Sequence, residues 1–158
     1  MLVPITMSAP TETIVVGVDG SEGGAAALEF AASEAAFRGA RLRIVSAWQV
    51  SVTTYGGGAD FAPPPDPTTL DAFRVRAEQV ADEAFAAVKK LQPSLEGEAL
   101  AVHGQPADVL LEHGADAKLI VVGRRGLGGF RSLLLGSVSQ QVVQHATCPV
   151  VVVNQPAN

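Results

Sequence analysis

One cysteine, Cys148, stands in 158 residues, so no disulfide framework can hold this chain. Aromatic residues make up 5%, with a single Trp and a single Tyr, which leaves the core to aliphatic side chains. No apolar run approaches the ~18 residues of a membrane span; the runs present are short, such as Leu119–Val122 and Val150–Val153. Met1 to Pro10 lack the basic region and long apolar core of a secretory signal, so a cytoplasmic location is expected. Charged residues are only 17% and apolar residues 47%, which argues against a disordered chain and against a coiled coil. Acid is missing altogether from residues 117–158, which carry Lys118, Arg124, Arg125 and Arg131, while the net charge of the whole chain is −5. An acidic protein with one basic corner suits a small anion better than a long nucleic acid, which takes a wider basic face.

What is present reads as one domain. Thr13-Ile14-Val15-Val16-Gly17 and Leu119-Ile120-Val121-Val122-Gly123 are nearly the same segment. Short β-branched runs ended by glycine read as buried parallel strands. Leu42–Ala47, Ala99–His103 and Val150–Val153 are three further strand candidates, with Pro149 at the entry to the last. Helical patterns lie between them. Ala25–Arg38 is alanine-rich and stops at Gly39. Leu70, Phe73, Ala77, Val80, Ala84, Ala87, Val88 and Leu91 form one stripe at spacings of three and four. Pro106 opens a short helix that ends near Gly114, and Ser137–His145 is the last. Strand and helix alternate throughout, which predicts an α/β fold with a parallel sheet and helices on both faces. One connection, Trp48 to Thr69, is long and rich in Gly and Pro, and is read as a surface loop. Residues 1–11 are read as a disordered tail, 12–154 as the domain and 155–158 as a short C-terminal tail.

In an open α/β sheet, ligands sit beyond the carboxyl ends of the strands. After Val122 the chain runs Gly123-Arg124-Arg125-Gly126, then nine residues to Gly136-Ser137, and straight into a helix. Glycines let backbone N–H groups approach an anion, and a helix N-terminus adds oriented donors. Together with the Ser137 hydroxyl they form a phosphate cradle. The structural alternatives are a tight turn at Gly123 and Gly126, and a capping box of Ser137 with Gln140. The loop lacks the lysine of a Walker motif, and the dinucleotide fingerprint is absent after the first strand.

With Val16-Gly17-Val18-Asp19-Gly20-Ser21, the glycine loop, and Ser137 to Val143 followed by Cys148 to Val153, the chain resembles a universal stress protein of the single-domain, ATP-binding type. The resemblance covers about residues 12–154. It implies an open five-stranded parallel sheet in the order 3-2-1-4-5, of the adenine nucleotide alpha hydrolase type. It also implies ATP at the junction of strands one and four. Gly123, Gly126, Gly136 and Ser137 would hold the phosphates, and Val122 and Val138 would flank them. Gly17, Val18 and Asp19 would lie at the first strand's tip, with Asp19 on the ribose or adenine side, and Ala47 would line the adenine. Arg124 either reaches phosphates or stays solvated. Mg²⁺ could arrive with ATP. The resemblance further implies a homodimer through Val150–Val153, in keeping with an uncovered apolar edge strand, and a regulatory role in stress responses with a protein partner. No catalytic residue and no dedicated metal site is expected.

Rival chemistry is thinner. Asp19-Gly20-Ser21-Glu22-Gly23 lacks the first glycine of a nucleophile elbow, although Asp108 or Asp116 and His145 would complete the order Ser…Asp…His. Slow ATP hydrolysis or phosphoryl transfer lacks an evident base, and a nucleotide-independent interaction dimer leaves the glycine spacing unexplained. His103, His113 and His145 share no metal-ligand spacing. Cys148 reads as a buried small hydrophobe.

Overall fold

The computed structural model describes residues 11–50, 66–127 and 134–155. Most of both tails (1–10 and 156–158), residues 51–65 of the long connection and Arg131 therefore lie outside the described residues. Nine elements alternate along the chain: β1 (Thr13–Gly17), α1 (Glu22–Arg38), β2 (Arg41–Trp48), α2 (Pro67–Leu91), β3 (Gly97–His103), α3 (Pro106–His113), β4 (Leu119–Gly123), α4 (Ser137–His145) and β5 (Val150–Val153). The strands form one sheet in the order β3-β2-β1-β4-β5, and every pair is parallel.

Strand side chains alternate between faces, and here both sets are apolar. Ile14, Val16, Leu42, Ile44, Leu119 and Val121 face α1 and α2. Val15, Val45, Ile120 and Val122 face α3 and α4. Ile14, Val15, Val16, Ile44 and Val121 are fully buried. This is why the strands read as unbroken β-branched runs: a parallel sheet is covered on both sides. α1 meets the sheet through Ala27, Ala31 and Ala35, all with no exposed surface. Those small residues bring the helix axis close to the strands.

The helix ends follow local chemistry. Ser21 caps α1 by accepting the N–H of Gly24 at 3.1 Å. Gly39 ends it at φ 65°, and the N–H of Ala40 reaches back to the Ala35 carbonyl at 2.9 Å. No atom lies within 4 Å of where a Gly39 side chain would start, so the left-handed backbone alone calls for glycine there. Asp66 caps α2, accepting from the Thr69 hydroxyl at 2.8 Å and the Thr69 N–H at 3.0 Å. These bonds, the hydroxyl first, hold its carboxyl below the usual carboxylate range. α2 thus begins at Pro67, ahead of the first apolar stripe residue, and β2 runs on through Trp48. The connection is shorter at both ends than the sequence pattern predicts. The first stripe residue, Leu70, comes three residues after Pro67 opens the helix, so apolar periodicity could not see the first turn that Asp66 and Pro67 create.

The register sets up the site. Val16 of β1 pairs with Val121 of β4, so the two glycine-ended strands finish side by side. The chain leaves β1 toward β2 on one side and arrives at β4 on the other. Their carboxyl ends are the switch point of the sheet.

Candidate functional site

A cleft of about 460 Å³ opens at that switch point. One part is an apolar slot, lined by Val18, Val45, Ala47, Pro106, Leu110, Val122 and Val138. The other part is polar and rich in backbone, lined by Asp19, Ser21, Gly123, Arg125, Gly126, Gly136, Ser137 and Ser139. Gly17, Val18, Asp19, Ala47, Val122, Gly123, Gly126, Gly136, Ser137 and Val138 all lie in this one wall. Arg124 alone of the sequence candidates does not. Its Nε donates to the Leu134 carbonyl at 2.6 Å, and its own carbonyl accepts from the Gly136 N–H at 2.8 Å. Arg124 braces the base of the loop.

Asp19 ties three strands of argument together. Oδ1 accepts from the N–H and the hydroxyl of Ser21, and Oδ2 accepts from the N–H of Leu127 at 3.1 Å, 108 residues away in sequence. The carboxylate therefore joins the start of α1 to the glycine loop across the cleft. Two oxygens offer about four acceptor positions, and these bonds engage three of them. Ser21, bonded to Asp19 and capping α1, is a structural residue. Asp116 is engaged with Arg43 at 3.2 Å, and His145 closes α4 at the end away from the cleft. The elbow reading of Asp19 to Gly23 therefore has no assembled partners.

The glycines differ in kind. A side chain on Gly123 would start 2.5 Å from the Gly23 carbonyl oxygen, and one on Gly23 would start 2.2 Å from the Arg125 carbonyl oxygen. These two glycines let the first turn of α1 press directly on the end of β4. On Gly126 a side chain would meet Asp19 Oδ2 at 2.5 Å. Gly136 is roomier: the nearest atoms, Arg124 O and Arg125 Cα, lie at 3.4 Å. Gly136 itself is the N-cap of α4, at φ −70°, and no side chain caps the helix. Ser137 is the first residue of α4, so it stands one position too late to form a capping box with Gln140. Its exposed side chain and the opening N–H groups of the helix border the cleft.

The sequence pattern missed Gly23, Gly24 and Ser139. Consecutive glycines in the first turn of a helix carry a propensity penalty of about 1 kcal/mol each, which was a signal of close approach. Ser139 gave no comparable signal. The remaining reactive candidates serve elsewhere. His103 packs against Trp48 with ring centroids 4.6 Å apart and the rings tilted by 54°. Cys148 is half-buried, and burial pushes its thiol pKa up, away from nucleophilic character. Among the described residues no three His, Cys, Asp or Glu side chains form a metal-holding group.

The model of the universal stress protein family matches residues 10–154. The chain belongs to that family. A universal stress protein of Thermus aquaticus is 40% identical over 144 residues, covering 90% of this chain and 98% of its own length. One from Mycobacterium tuberculosis is 34% identical over 142 residues, covering 90% of this chain and 45% of its own length. The chain thus spans about half the length of the mycobacterial universal stress proteins it matches. Among solved structures, a universal stress protein in complex with cAMP superimposes with a TM-score of 0.65 at 28% identity, over 92% of this chain and 98% of that one. The strand order of this chain, β3-β2-β1-β4-β5, is the one the resemblance implied. No helix among the described residues is long and apolar enough to cross a membrane.

Proposed function

We propose that this universal stress protein binds ATP in the switch-point cleft and acts as a nucleotide-dependent regulatory switch of the stress response in the cytoplasm. The observation that carries the reading is the pairing, within one cleft, of an apolar slot with the uncapped N-terminus of α4. The slot, between Ala47, Pro106, Leu110 and Val138, has the apolar chemistry that suits a base. The α4 terminus, approached over Gly136, offers N–H donors and a partial positive charge to phosphate. The cAMP complex of a relative supports an adenine nucleotide as the ligand class.

The described residues fit the nucleotide and include no group of three metal-holding side chains. Asp19 is the one carboxylate lining the cleft among the described residues, and three of its acceptor positions are engaged. Mg²⁺ would therefore be held chiefly by the phosphates themselves. Phosphoryl transfer, the rival reading, has among the described residues of the wall one carboxylate, Asp19, already bonded to Ser21 and Leu127, and binding suffices for the switch. Its logic requires ATP to favour one of two loop arrangements, with a protein partner reading the result. Equilibrium dialysis with ATP on the purified chain is the direct test. Saturable binding at or below millimolar ATP is expected, and its absence would sink the nucleotide reading.

The same proposal includes a homodimer through β5, an edge strand whose only neighbour in the sheet is β4. The N–H of Ile120 bonds to the Pro149 carbonyl at 3.0 Å and that of Arg124 to the Val153 carbonyl at 2.9 Å. Backbone groups alternate along a strand, so those of Val150 and Val152 point to the open side. Proline survives at an edge position whose N–H faces outward. Val152→Pro is therefore expected to fold and to sediment as a monomer where the parent sediments as a dimer. A variant that remains dimeric would remove β5 from the interface.

A further inference from the structure

Ser139 is 2% exposed, and no motif marked it. Its hydroxyl lies 3.0 Å from the Arg124 carbonyl and 3.0 Å from the Gly136 carbonyl. A serine has one proton to give, so the two acceptors share it. The Arg124 carbonyl also takes the Gly136 N–H at 2.8 Å, while the Arg124 guanidinium holds the Leu134 carbonyl at 2.6 Å. Both ends of the glycine loop, residues 124 and 134–136, are thereby clamped onto the first turn of α4. Val138 adds apolar packing to the same turn. α4 lacks a side-chain cap, and Ser139 and Val142 are its only buried residues.

We propose that Ser139, with Arg124, is a positioning residue for phosphate recognition: the clamp fixes the Gly136, Ser137 and Val138 amides at the spacing a polyphosphate requires. The inference rests on the nucleotide reading above and adds to it. Ser139 need not touch the ligand. It acts through the direction of the donors, and small displacements of such donors weaken charge-assisted bonds strongly. Most of the apolar slot, Val45 and Ala47 of β2 with Pro106 and Leu110 of α3, stands apart from the clamp, and Val138 is the one slot residue on α4. Loosening the clamp should therefore penalise phosphate and spare the nucleoside.

The test compares ATP and adenosine affinities by titration of the full chain, in the parent and in Ser139→Ala. The Ala variant leaves the Gly136 N–H to satisfy the Arg124 carbonyl, so the fold should persist. ATP affinity is expected to fall about ten-fold, the scale of one well-aligned bond to a charged group, with adenosine affinity within about two-fold of the parent. Hydrogen exchange at the Gly136 amide should quicken in parallel. Arg124→Lys, which keeps the charge and removes the Nε donor to the Leu134 carbonyl, should show the same split, and it carries the test should Ser139→Ala not fold. Equal losses for both ligands, or no loss for ATP, would overturn the clamp while leaving nucleotide binding intact. A parent chain that binds neither ligand would overturn the nucleotide reading and the clamp with it.

Discussion

Gly123→Ala is expected to destabilise the domain by about 3 kcal/mol, the upper part of the range for overpacking a tight contact. The new methyl carbon would start 2.5 Å from the Gly23 oxygen, 2.6 Å from its carbonyl carbon and 3.0 Å from its Cα. All three are backbone atoms of the first turn of α1, whose cap on Ser21 is in turn bonded to Asp19. No rotamer change can relieve the clash; the helix must move as a body. Gly23→Ala meets the Arg125 carbonyl at 2.2 Å and should cost a similar amount. Because both push the same two segments apart, the double variant should lose less than the sum of the singles. Urea denaturation reads the effect as a lower midpoint at unchanged slope. A Gly123→Ala chain within about 0.5 kcal/mol of the parent would show that the contact relaxes freely. Set against a total stability of 5–15 kcal/mol for a typical domain, the expected loss is large. Failure of such a variant to bind nucleotide would then report on the fold, and phosphate recognition needs a different probe.

That distinction marks the limit of what the sequence could say. Gly123 and Gly136 occupy equivalent places in the loop spacing, and the pattern reads both as phosphate glycines. The difference is made by Gly23, a hundred residues earlier, whose carbonyl fills the space beside Gly123. Spacing records where a residue stands along the chain and is silent on what the fold brings against it. β1 and β4 were the most legible strands because each carries its own signal: β-branched residues on both faces and a glycine at the tip. The α2 boundary was misplaced because its first turn, made by Asp66 and Pro67, lies off the apolar stripe. Arg124 was legible as a cation near the loop, yet its destination, the Leu134 carbonyl, depends on the loop's path. Ser139 was silent for a related reason. A serine in a helix is unremarkable until the burial of its hydroxyl and two carbonyls at 3.0 Å are known.

Gly136→Ala is the cleaner probe of the cradle, and its expected signature is the reverse of the Gly123 one. The backbone at Gly136 is at φ −70° and ψ 164°, a conformation open to any residue. The added methyl would lie 3.4 Å from its nearest neighbours, Arg124 O and Arg125 Cα, and 3.7 Å from the Ser139 hydroxyl, a fit that needs little adjustment. Alanine is a poorer N-cap than glycine, so a stability loss of about 1 kcal/mol or less is expected. Ligand binding should suffer far more. The methyl would stand at the mouth of the α4 N-terminus, where phosphate oxygens must come within about 3 Å of backbone N–H groups. A carbon there keeps the anion out of reach of donors that otherwise make charge-assisted bonds worth roughly 1.5–3 kcal/mol each. ATP affinity should drop by about ten-fold to a hundred-fold, with the folded fraction unchanged by denaturation. Adenosine, held in the slot of Ala47, Pro106 and Leu110, should bind nearly as before. Were ATP to bind Gly136→Ala as tightly as the parent chain, the phosphates would have to lie elsewhere in the cleft, and the α4 terminus would lose its assigned role.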